Sequence, residues 1–186
     1  QSLQRVYTTI NAQFSNVISL SNAVSSDSQV AVFLAQQYET PVQYYSTYYT
    51  EMRSILSRYS LAYNQQVTDL TLYTDNPTVL DGGSCRRITE ALRTQEWFPQ
   101  QTPADTRLAV YLRQQVGQTG ILQLCITRSL HAQSEYNNVL RIDLNMEPIN
   151  RLIEEESPYL SLYLVAPDGT AVCYPGSLQD IHMADR

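Results

Sequence analysis

The hydrophobic period of this chain changes near residue 65, and that change constrains its fold more than any other feature. Before it, apolar residues recur every three or four positions; after it they alternate. The first spacing lines side chains along one stripe of a helix, the second along one face of a strand. Leu3, Val6, Ile10, Phe14, Val17, Leu20 and Val24 predict a helix over residues 2–25, with polar residues on its other faces. The Ser-Ser-Asp-Ser cluster at 25–28 suits the cap of a short run, 29–37, because such side chains accept free N–H groups of a first turn. Pro41 fits the first turn of another helix, whose stripe is Val42, Tyr45, Tyr49, Met52, Leu56, Tyr59 and Tyr63. Two long amphipathic helices therefore lead the chain, with stripes narrow enough to pack on each other, a sheet or a partner chain.

Beyond the change, residues 66–73 read as a strand and Asp75-Asn76-Pro77 as a turn into a short run at 78–80. Gly82-Gly83 breaks the chain, and 86–94 reads as a short helix closed by Trp97-Phe98-Pro99. Three more strands follow at 107–114, 121–130 and 139–146, the first two joined by the hairpin signal Gly117-Gln118-Thr119-Gly120. A helix over 147–156 precedes two strands, 159–166 and 170–174, around Pro167-Asp168-Gly169. The class is α+β, an antiparallel sheet flanked by long N-terminal helices.

Composition excludes several functions. The formal charge is -6 and every basic residue is arginine, with no basic run to neutralise a row of phosphates, so nucleic acid is not an expected partner. No stretch reaches the ~18 apolar residues of a membrane span. The three cysteines, Cys85, Cys125 and Cys173, lie far apart, compatible with one disulfide or with free thiols, and give no metal-ligand spacing. His131 and His182 are isolated, and Glu154-Glu155-Glu156 splay around a helix rather than pairing. We expect neither a catalytic constellation nor a cofactor.

Alternation sorts the strands into two faces. Leu70 and Leu72, Leu108, Val110 and Leu112, Leu122, Leu124 and Ile126, and Leu140, Ile142 and Leu144 share the core face. The other face carries Asp69, Thr71, Tyr73, Arg107, Tyr111, Arg113, Gln123, Cys125, Thr127, Arg141 and Asp143. It is either a wet face laced with cross-strand pairs or the floor of a ligand pocket. The excursion from Pro77 to Thr106 favours the pocket, because a segment of that length lying over the face makes a lid. Trp97 is its natural wall. The expected ligand contacts are polar anchoring by Arg107, Arg113, Arg141 and Asp143 and stacking by Tyr73, Tyr111 and Trp97.

The order of elements, with the strings Leu124-Cys-Ile-Thr-Arg-Ser-Leu130, Val139-Leu-Arg-Ile-Asp-Leu-Asn145, Leu72-Tyr-Thr-Asp-Asn-Pro77 and Glu96-Trp97, resembles the Cache (PAS-like) sensor region of YesM-like Gram-positive sensor histidine kinases. That resemblance implies a membrane-distal lobe with its helices over 1–150. Residues 151–186 become a connecting helix and the incomplete start of a membrane-proximal lobe. It further implies a receptor homodimer on the extracytoplasmic side of the cell membrane, tethered by segments outside this chain. The partner is a small polar ligand such as a sugar, or a solute-binding protein docking on the polar face. A chemotaxis receptor carrying the same module is the alternative. Where amino-acid-binding Cache domains have Arg-x-Trp-Tyr, this chain has Gln95-Glu96-Trp97-Phe98, so the guanidinium that grips a carboxylate is missing there. Arg128 and Asp143 belong to the family-like strings and fit a fold-holding role equally well.

Overall fold

The computed structural model describes residues 2–95, 97–98, 106–113, 121–130, 135–156, 162–165 and 171–174, with the backbone alone described at 2–3, 106–113, 121–123, 150, 153–154, 156, 162–165 and 171–174. Helix α1 runs Ser2–Ser25 and α2 Ser28–Ala35. Asp27 caps α2, its Oδ1 accepting from the Gln29 N–H at 2.9 Å. Thr40 caps α3, Pro41–Thr47, with the proline in the first turn. A π turn, Tyr48–Met52, joins α3 to α4, Arg53–Ala62.

That π turn explains where the second helix departs from the expected stripe. A π turn holds one residue more than an α turn, so it delays the phase of the helix by one position. From its last residue onward, Met52 and Leu56 are buried as the alternation predicts. Ahead of Met52, the buried row is Tyr44 and Tyr48, while the expected Val42, Tyr45 and Tyr49 are 78, 40 and 58 % exposed.

Strands β1 (Val67–Thr74), β2 (Cys85–Arg87), β3 (Thr106–Arg113), β4 (Ile121–Ser129) and β5 (Asn138–Leu144) form one sheet in the order β2-β1-β5-β4-β3. The sheet is mixed rather than antiparallel throughout: β2 runs parallel to β1, with Leu72 opposite Cys85. The expected helix over 86–94 is correspondingly shorter. Its first residues belong to β2, and only Glu90–Arg93 form a helix, α5, capped by Thr89. Leu70, Leu72, Leu124, Ile126, Leu140, Ile142 and Leu144 are all buried, and α4 packs on β1. Each such aliphatic side chain contributes ~1.5 to 3 kcal/mol by leaving water. Arg128 donates a hydrogen bond to Oδ1 of Asn22, tying β4 to α1.

The chain divides into two compact units, residues 13–145 and residues 1–12 with 146–186. The second holds α6, Glu147–Glu156, and an antiparallel hairpin of β6 (Leu162–Val165) and β7 (Ala171–Tyr174). Among the described residues no helix is long and apolar enough to cross a membrane. Cys85 and Cys125 are buried free thiols; the side chain of Cys173 lies outside the described residues.

Candidate functional site

The polar face of the sheet is built in cross-strand rows. Thr71 of β1 stands opposite Arg141 of β5, which stands opposite Thr127 of β4. In the next row Asp69 faces Asp143, and Asp143 faces Cys125. Two carboxylates opposite one another repel, and each is held by its own donors. Arg141 grips Asp143 through two parallel bonds, Nε to Oδ1 at 2.8 Å and Nη2 to Oδ2 at 3.0 Å. Asp69 accepts from the Leu70 N–H at 3.0 Å and from the Thr71 hydroxyl at 3.0 Å.

This face is covered. Trp97 and Phe98 from the excursion after β1 form a cluster with Cys125 and Val139, against which Tyr73, Ile88 and Leu92 pack. The Trp97 indole, 5 % exposed, lies 5.3 Å from the Tyr73 ring, and the Arg141 guanidinium carbon sits 4.3 Å from the Trp97 ring centre. A guanidinium over an indole face at that distance is a cation–π contact, strengthened where water is excluded. Under the cover Thr71, Cys125, Thr127 and Asp143 are buried. The Thr127 hydroxyl has no hydrogen-bond partner among the described residues.

The excursion is fastened at three places. The Leu72 N–H donates to the Ser84 carbonyl at 2.8 Å, and the Ile88 N–H to the Thr74 carbonyl at 2.8 Å, flanking β2. Tyr44 donates its hydroxyl to the Leu80 carbonyl at 2.8 Å, and the Tyr48 hydroxyl accepts from the Ser84 N–H at 3.0 Å. Asp75 accepts from the Asn137 N–H at 2.7 Å and faces Arg93 of α5 at 3.4 Å, so one carboxylate joins the end of β1, α5 and the loop before β5. Trp97 follows α5 by four residues and inherits that anchorage.

Burial pushes the Cys125 thiol well above its ordinary range, with the nearby Asp143 charge adding to the effect. It also raises the Tyr73 hydroxyl, opposed by Arg141 and reinforced by Asp143. Both groups are therefore neutral hydrogen-bonding and packing groups at physiological pH. Among the described residues no three His, Cys, Asp or Glu side chains gather to hold a metal ion.

Of the expected ligand contacts, Tyr73, Trp97, Arg141 and Asp143 come together in this one cluster. The backbone of β3 places Arg107 opposite Thr127, Tyr111 opposite Gln123 and Arg113 opposite Ile121. The side chains of Arg107, Tyr111 and Arg113 lie outside the described residues. Sequence reasoning placed Thr71 and Thr127 on this face without foreseeing their burial, and missed the clasp of Asp75, Arg93 and Asn137. The only local signal for that clasp was the Asp-Asn-Pro turn; its other halves are distant in the chain. No protein family model, no curated protein and no solved structure matches this chain.

Proposed function

We propose that this chain is an extracytoplasmic ligand-sensing domain of a membrane-anchored sensor histidine kinase, binding a small polar solute on the polar sheet face beneath Trp97. One observation carries the reading: the long excursion after β1 lays its tryptophan directly on Arg141, over a set of buried polar side chains. A wet sheet face has no need of such a cover. The order of elements supports it too, since helices, a strand, an insert and three antiparallel strands are the layout the Cache resemblance implies.

The chemistry of the floor fits a solute with several hydrogen-bonding groups. The floor carries the Arg141–Asp143 pair, which a polar solute would have to share or replace, with the Thr71 and Thr127 hydroxyls and the ring faces of Tyr73 and Trp97 beside it. A sugar or a small hydroxylated acid matches this mixture. Because Trp97 covers Arg141, a solute reaching the guanidinium has to displace the indole. Binding and movement of the cover are then linked, and the solute shifts the domain only through its differential affinity for covered and uncovered states. The insert is bonded to the helical segment through Tyr44 and Tyr48, which gives the movement a route into the helices.

The test is a thermal-shift screen of the chain against sugars, organic acids, amino acids and short peptides, followed by tryptophan fluorescence. A ligand at a hundredfold excess over its dissociation constant adds ~2.7 kcal/mol, a shift of several degrees. Trp97 is the sole tryptophan, so a genuine ligand of this site also changes its emission. A stabilising ligand that leaves Trp97 emission and its own affinity for the Arg141→Ala variant unchanged binds elsewhere and overturns the site.

A further inference from the structure

We propose that residues 41–62 encode two helical registers, and that the π turn Tyr48–Met52 is where one converts into the other. In the observed register Tyr44, Tyr48, Met52 and Leu56 form the buried row. The same residues carry a second apolar row, Val42, Tyr45, Tyr49, Met52, Leu56, Tyr59 and Tyr63, at the steps of three and four that an uninterrupted α-helix requires. The two rows coincide from Met52, the last residue of the π turn, onward and differ only ahead of it. Contracting that turn to an α turn rotates the segment ahead of it by about 100°, one residue of an α-helix. Tyr45 and Tyr49 then join Met52 and Leu56, and Tyr44 turns toward the flank.

Two observations make this more than a coincidence of composition. Val42, Tyr45 and Tyr49 are all exposed, the Tyr45 and Tyr49 rings stacked at 6.3 Å and set edge-on to Tyr44 and Tyr48 at 5.3 and 5.4 Å. A row of that kind has a use, unlike a single exposed apolar side chain. The observed register is moreover held by bonds to one place. Tyr44 reaches the Leu80 carbonyl, Tyr48 holds the Ser84 N–H, and the Tyr48 ring fills the space beside Gly83. Changing register withdraws both tyrosines from residues 80–84, the stretch that leads into β2, α5 and Trp97. The helix register and the cover of the polar face are thereby coupled. The extension to the cover rests on the proposed function; the two registers do not.

Hydrogen exchange at the Ser84 amide tests the idea without any ligand, comparing the native chain with two variants. Tyr45→Ser/Tyr49→Ser strips the alternative apolar row at exposed positions, and serine and tyrosine have similar helix propensity. Deleting the exposed Thr50 removes the extra residue, so a plain α-helix keeps Tyr44 and Tyr48 on the buried side. If register change is the main route by which Ser84 opens, its exchange slows about tenfold in both variants. Unchanged or faster exchange in Tyr45→Ser/Tyr49→Ser overturns the proposal, and this variant decides alone should the deletion fail to fold. Neither result bears on the ligand screen, so the two readings fail separately.

Discussion

The guanidinium of Arg141 is held between the ring of Trp97 on one side and the carboxylate of Asp143 beside it, at 4.3 Å from the ring centre and 2.8 Å from the nearer oxygen. Both charged side chains are largely buried, so neither tolerates loss of the other. Arg141→Ala removes both parallel bonds from the buried Asp143 carboxylate, and removing one partner of a buried pair costs ~3 to 5 kcal/mol. Urea denaturation of Arg141→Ala should show a loss of that size. Arg141→Lys should recover only part of it, because an ammonium cannot reproduce the two parallel bonds or the planar stacking. A loss under ~1 kcal/mol, the scale of an exposed pair, would show that the cluster is open to water.

Gly83 and Tyr48 form a second dependence. Gly83 adopts φ +55, a left-handed backbone, and a methyl group added there would overlap the Tyr48 hydroxyl and ring. Gly83→Ala therefore combines backbone strain with overpacking and should destabilise the domain by ~2 to 4 kcal/mol. Tyr48→Phe removes only the acceptor for the Ser84 N–H, and its expected cost is ~1 kcal/mol. Thermal denaturation of the two variants should rank them in that order. Equal melting temperatures would mean that the loop shifts away from the helix to make room.

These contacts also mark what was legible in the sequence. The alternation Leu140, Arg141, Ile142, Asp143, Leu144 revealed both faces of β5, because side-chain direction in a strand is a local property of the backbone. The length of the excursion after β1 and the polar character of the opposite face together pointed to Trp97 as a wall over that face, while its contact with Arg141 was not legible. Strand β2 was hidden, since Cys85-Arg86-Arg87 has no period of its own and becomes a strand only by pairing with β1. The phase of α3 was hidden for a different reason. Tyr44 and Tyr48 compete with Tyr45 and Tyr49 for the same face. The choice is made by hydrogen bonds to Leu80 and Ser84, each 36 residues away. Local periodicity carries no information about such partners.

Burial of Cys85 sets a pH dependence. Its thiol is raised from an ordinary 9.0 to about 12, desolvation outweighing the lowering effects of Tyr44 and Arg86. Below pH 9 folded and unfolded chains both keep the proton, and the group adds no pH dependence. Between about pH 9 and 12 the unfolded chain releases the proton while the folded chain retains it. Stability then falls by ~1.4 kcal/mol per pH unit for each such group. Cys125 is shifted in the same direction and adds to the slope. Urea midpoints from pH 8 to 10.5 should show this decline, shallower by about one proton's worth in Cys85→Ala. An identical slope in the variant would place Cys85 in contact with water.

Asn76 is fully buried where β1 meets the end of α2. Its Nδ2 donates to the Leu34 carbonyl at 3.1 Å and the Gln36 carbonyl at 2.9 Å, while its Oδ1 accepts from the Thr78 N–H at 3.0 Å. One side chain thereby satisfies carbonyls at a helix end and shapes the turn that starts the excursion. Asn76→Ala leaves those groups unpaired and should cost ~2 to 4 kcal/mol. Asn76→Asp is nearly isosteric, yet it replaces the two donors by an oxygen aimed at two carbonyl oxygens. At neutral pH it should therefore be the more damaging change despite preserving shape. Burial and those acceptors raise the pKa of the introduced carboxyl above its unfolded value. The deficit relative to Asn76→Ala should then shrink as pH falls and the carboxyl gains a proton to donate. Melting temperatures of both variants at pH 7 and pH 4.5 check this; a deficit that stays constant would mean that water enters beside the turn and solvates the charge.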